Sequence, residues 1–145
     1  MKILDELKLR VRAASGTNGN SGMADYFHIL LMEGGLREVI GIIDARPELL
    51  ADLLPIVGNP DASMNVALGA SAVFERYAGK EPLRVLAPQL GRLSEHADAR
   101  VRADASHYLG LSHSPLARTF LEARLKDESA EVREIAADSL AELEE

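Results

Sequence analysis

Apolar residues recur along this chain at helical spacing. Ile3, Leu4, Leu7 and Val11 share one helical face, which predicts an amphipathic helix over residues 2–12. The pattern then stops, because residues 14–22 hold no large apolar side chain and are rich in Gly, Ser and Asn, the composition of a flexible loop. From Met23 the apolar pattern returns and predicts helices near 23–33 and 36–44, with Gly34-Gly35 as the stop between them. Pro47, Pro82 and Pro115 each stand where a first-turn proline begins a helix. Each is followed by an apolar face: Leu49, Leu50, Leu53 and Leu54; Leu83, Leu86, Leu90 and Leu93; Leu116, Phe120, Leu121 and Leu125. A polar break follows, and then a second helix whose first core residue is expected to be Met64, Val101 or Val132. The β-branched residues sit singly in Ala- and Leu-rich surroundings, so the fold class is all-α.

Two of the second helices carry the same pattern. Asp98, Val101, Arg102, Ala105 and Leu109 recur 31 residues later as Ser129, Val132, Arg133, Ala136 and Leu140, with serine in place of the aspartate. Repetition at this period describes stacked helix-turn-helix units, each unable to bury its apolar face alone.

Asp-x-x-Val-Arg-x-x-Ala-x-x-x-Leu after a Leu-rich helix with an internal proline, here Leu54-Pro55 and Ala87-Pro88, resembles a HEAT repeat over residues 47–143. The resemblance implies a short α-solenoid of antiparallel helix pairs in a right-handed superhelical stack, occupying 23–145 behind an N-terminal segment of 1–22. It also implies that Asp98, Arg102 and Arg133 bridge neighbouring repeats as a charged ladder, with Asp127 or Glu128 near the place of the aspartate missing from the last unit.

Charge narrows the range of partners. The net charge is -7, which repels phosphate backbones and anionic lipid and makes nucleic acid and membranes poor partners. HEAT-like DNA glycosylases need a basic groove, and residues 82–125 have an excess of only two arginines over acids, with few aromatics to stack on bases. There is no cysteine, hence no disulfide or thiolate chemistry. The N-terminus mixes charges into its apolar residues and no run reaches transmembrane length, so a cytoplasmic protein is expected.

No catalytic constellation emerges. The fold resembles that of deoxyhypusine hydroxylase, a HEAT-type di-iron enzyme that uses His-Glu dipeptides. Here His28, His96, His107 and His113 are followed by Ile29, Ala97, Tyr108 and Ser114. His107 and His113 are six apart, a spacing that does not place both on one helical face, and no cofactor is expected. No serine sits in a nucleophile elbow.

Function is therefore expected on the solvent side of the second helices. If Val101, Ala105 and Leu109 face the core, Ala103 and His107 point away. The matching residues are Glu134 and Asp138 in the last unit, and Val66 and Ala70 in the first when Met64 is aligned with Val101. These six residues are the expected partner-binding strip of a non-enzymatic adaptor that takes a protein or peptide on its concave face. The alternative is an accessory protein handling a small ligand or pigment, since small bacterial HEAT-like modules resemble those associated with phycobilin lyases. A homodimer is a third option.

Overall fold

A computed structural model describes residues 22–144; the helix expected over 2–12 and most of the loop after it lie outside the described residues. Among the described residues every regular element is helical. Met23–Met32 and Leu36–Ala45 form where the apolar pattern predicts them. Between them Gly34 takes φ 81°, a left-handed conformation that favours glycine. Its N–H donates to the Leu31 carbonyl at 3.3 Å and the Gly35 N–H to that of Leu30 at 2.7 Å. These are the paired bonds of a Schellman stop.

Proline shapes the first helix of each repeat. Pro47 opens a 3-10 helix, Pro47–Leu53, that gives way to Leu54–Val57 at Pro55, which has no N–H to continue the ladder. The second repeat is likewise split into Glu81–Arg84 and Ala87–Leu93, with Pro82 and Pro88 in their first turns. Pro115 departs from expectation. It stands in a turn before Ala117–Arg124, where the Ser114 hydroxyl accepts the Leu116 N–H at 3.1 Å. Leu116 and Leu125 are correspondingly exposed, whereas Leu121 is buried.

The second helices are Met64–Arg76, Ala99–Ser112 and Ala130–Leu143. Each starts at a side-chain cap that satisfies an otherwise orphaned N–H. The Ser63 hydroxyl accepts from Val66 N at 3.4 Å, Asp98 from Arg100 N and Val101 N at 2.9 and 3.2 Å, and the Ser129 hydroxyl from Val132 N at 3.4 Å. These caps reveal a third copy of the motif, Ser63-Val66-Ala70-Phe74, 35 residues before Asp98-Val101-Ala105-Leu109. Val66, Ala70, Val101, Ala105, Val132 and Ala136 are all buried, while Met64 is 73% exposed. The register of the first repeat is thus corrected by two residues, which turns a helix by about 200° and exchanges core for surface positions.

The described residues fall into two compact units, with the division inside Met64–Arg76. One comprises the described residues up to Ile56 together with Ala62–Val73; the other is Val57–Asp61 with the residues from Phe74 onward. The first unit centres on Phe27, Leu30, Val39, Ile43, Leu50 and Leu53, each 1% exposed or less. Burying a side chain of this size contributes about 1.5–3 kcal/mol.

In the second unit Ala99–Ser112 is the central element, packed against Ala87–Leu93, Ala117–Arg124 and Ala130–Leu143. Small residues permit this. A Cβ on Gly110 would lie 2.7 Å from Ser139 Cβ, and one on Gly91 would collide with the Phe120 ring. Phe74 closes the unit by stacking on Tyr108, ring centroids 4.4 Å apart.

Candidate functional site

The corrected register separates the six expected strip residues into two groups. Val66, Ala70 and Ala103 are 0%, 2% and 2% exposed. Val66 and Ala70 are the core positions of the first copy of the motif. Ala103 is covered because its helix is packed by Glu81–Arg84, Ala87–Leu93, Ala117–Arg124 and Ala130–Leu143, leaving open, beyond Ala99 at its start, a stripe of Arg100, Asp104, His107 and Leu111 at helical spacing. These three are not surface residues. His107, Glu134 and Asp138 remain accessible.

The accessible group extends to two carboxylates outside the expected strip, Asp104 and Glu131. Glu131 and Asp138 are exposed seven residues apart on one side of Ala130–Leu143, with Glu134 between them at i+3. Glu131 acts on Asp104 of the adjacent helix, and the Asp104 carboxyl is pushed above its ordinary range, chiefly by burial, with Arg100 and His107 opposing and Glu131 adding to the rise. His107 Nε2 lies 3.8 Å from the Glu75 carboxylate. The result is a predominantly acidic face built from two adjacent second helices, with Arg100 and His107 at its edge. Its chemistry suits capture of cationic groups.

The ladder residues have distinct tasks. Asp98 caps its own helix and is not the bridging acid that the HEAT resemblance implies, since its carboxylate is turned back on the N–H groups of Arg100 and Val101. Arg102 makes the tertiary bridge, from Ala99–Ser112 to the turn before Ala130–Leu143. Its Nε and Nη2 donate to the two oxygens of Asp127 at 2.9 and 3.0 Å, and its Nη1 to the His96 and Ala97 carbonyls at 3.0 and 2.8 Å. Both side chains are buried. Asp127 also accepts Arg124 Nη1 at 3.0 Å and Ser129 N at 2.9 Å. The Arg102 hydrogen bonds hold its carboxyl below the usual range, and the Ser129 N–H assists against the opposing effect of burial. Arg133 repeats only the backbone half of the pattern: its Nη1 donates to the Asp127 carbonyl at 2.7 Å, six residues back, as Arg102 does to His96. The cluster lines an open polar depression of about 420 Å³ shared with Glu95, Lys126 and Glu128.

The histidines are spread among local tasks. His96 Nδ1 accepts the Asp98 N–H at 2.9 Å, and His113 ends Ala99–Ser112 in the left-handed conformation, φ 52°. Among the described residues no group of three His, Cys, Asp or Glu side chains could hold a metal ion. Among them, too, no helix is long and apolar enough to cross a membrane. In comparisons with known proteins, no protein-family model, no curated protein and no solved structure matches this chain.

Proposed function

We propose that this chain is a non-enzymatic protein-binding scaffold, a short HEAT-like solenoid of antiparallel helix pairs that captures a basic segment of a partner protein. The observation that carries this reading is the acidic face of Asp104, Glu131, Glu134 and Asp138. Three copies of a cap-Val-Ala motif support the repeat architecture, because each second helix begins and buries itself in the same way. In such a scaffold the repeated residues hold the stack, and the residues that differ between copies meet the partner. Carboxylates at i, i+3 and i+7 present one row of charge to a cationic segment and steer its approach.

The test is affinity capture from the native host with identification by mass spectrometry. Three baits are compared: wild type, the pair Glu134→Lys and Asp138→Lys, and a control, Glu33→Lys, in the first unit. A basic protein retained by wild type and control, released by moderate salt and lost by the double variant is the expected result. The same proteins on all three baits would refute the assignment of the acidic face.

A further inference from the structure

The solvent side of the first helices in the second unit repeats, as their core does. Leu86 and Leu90 recur 31 residues later as Ala117 and Leu121, all buried, and Val85, Pro88 and Arg92 recur as Leu116, Thr119 and Ala123, all exposed. Val85 and Leu116 are each 55% exposed. Two large apolar side chains left open at the same position of successive repeats mark a contact surface.

Charge sets this face against the other one. Glu81–Arg84, Ala87–Leu93 and Ala117–Arg124 carry Arg84, Arg92, Arg118 and Arg124 against Glu81 and Glu122, a net +2. Ala99–Ser112 and Ala130–Leu143 carry five carboxylates against Arg100, Arg102 and Arg133, a net -2. Ala87–Leu93 and Ala117–Arg124 touch one another, Ala99–Ser112 and Ala130–Leu143 touch one another, and Ala99–Ser112 packs on both first helices. Two layers result, with the basic, partly apolar side of one and the acidic side of the other turned away from each other.

We infer that a second copy of this chain docks its basic first-helix face on the acidic face of the first copy, a head-to-tail contact. The acidic half of the contact is the face proposed above, so the inference rests on that reading. Within one copy the two faces look outward from opposite layers and do not meet. Between copies they meet with complementary charge, and Val85 and Leu116 leave water as the arginines beside them approach the carboxylate row. Each copy gives a different face to the contact, so the interface is heterologous. The net charge of -7 opposes close approach of two copies, which makes the contact a weak one, filling between about 10 μM and 1 mM.

Analytical ultracentrifugation of the full-length chain tests this. The expected result is a mass that rises with concentration across that range at about 0.1 M salt and stays monomeric at about 0.5 M, where the attraction is screened. Arg92→Glu with Leu116→Asp alters only the basic face, and Glu134→Lys with Asp138→Lys only the acidic one. All four positions are exposed, and circular dichroism checks that each variant keeps its fold. Each double variant weakens self-association about tenfold or more, and an equimolar mixture of the two recovers a dimer, because the acidic face of the first variant and the basic face of the second are intact. A chain monomeric throughout, association indifferent to either variant or strengthened by salt, or a mixture that stays monomeric would each overturn the inference. A monomeric chain that still captures a basic host protein overturns it and leaves the capture reading standing. Self-association without any such capture does the reverse.

Discussion

Asp127→Ala is the sharpest probe of what joins Ala99–Ser112 to the turn before Ala130–Leu143. It removes the acceptors of four hydrogen bonds at once, two from Arg102, one from Arg124 and one from the Ser129 N–H. Arg102 keeps its bonds to the His96 and Ala97 carbonyls but remains buried with only the exposed Glu128 carboxylate, 3.7 Å from its Nη2, as a close counter-charge. Breaking a buried pair from one side costs about 3–5 kcal/mol. The cluster borders an open polar depression, where nearby water screens the stranded charge, so the lower end, about 3 kcal/mol, is expected. Arg102→Met costs less, about 2 kcal/mol, because Asp127 still accepts from Arg124 and Ser129.

Urea unfolding followed by far-ultraviolet circular dichroism measures all four corners of the cycle, wild type, the two singles and the double. The double variant should cost less than the sum of the singles by about 1 kcal/mol or more, since the two share one interaction. The pH dependence follows from the lowered Asp127 carboxyl. Its contribution is present above the unfolded pKa of about 3.9 and is lost as pH falls through the lower folded value. The gap between wild type and Asp127→Ala should therefore narrow below about pH 4. A cost for Asp127→Ala under about 1 kcal/mol, or simple additivity of the singles, would refute the bridging role.

Val66→Asp should lower stability by about 3 kcal/mol or more in the same assay, because it buries an unpaired carboxylate at a position with no exposure. A variant that melts like wild type would restore Val66 to the surface. Gly110→Ala should cost about 1–3 kcal/mol despite alanine's better helix propensity, since its methyl meets Ser139 Cβ at 2.7 Å and Cα at 3.0 Å. Gly41→Ala, in Leu36–Ala45 with open space around it, should instead stabilise by about 0.5–1 kcal/mol, and equal effects at the two glycines would contradict the packing described. Asp104→Asn should raise the melting temperature at pH 7. A carboxyl raised in the folded state opposes folding above its unfolded pKa, so the gain should vanish below about pH 4. A gain that persists in acid would point to another cause.

The acidic face was only half legible in the sequence. Glu134 and Asp138 follow from the 31-residue period, because both copies of the long motif are intact there. Asp104 and Glu131 do not, since their pairing requires knowing that Ala99–Ser112 and Ala130–Leu143 lie side by side. The misreading of Val66 and Ala70 has a particular cause. The first copy of the motif has Ala67 where the others have Arg102 and Arg133, and Ser63 caps it where Asp98 caps the second. Proline spacing did not decide between the two registers: Pro47 to Val66 is 19 residues, as is Pro82 to Val101, but Pro47 to Met64 is 17, as is Pro115 to Val132.

The amino-acid pattern alone determined the local outcomes: the helical class, the stop at Gly34-Gly35, the proline-split first helices, and the paired start of the last two second helices. Each of these is fixed by a few neighbouring residues through backbone geometry, capping or period. Tertiary structure decided what depends on neighbours distant in sequence. Packing by several helices made Ala103 core and left Asp104 and His107 at the surface. The approach of Asp127 turned Arg102 from a helix-surface charge into a buried bridge. Burial is a property of what comes to lie alongside a helix, and a helix's own period does not say how many of its sides will be covered.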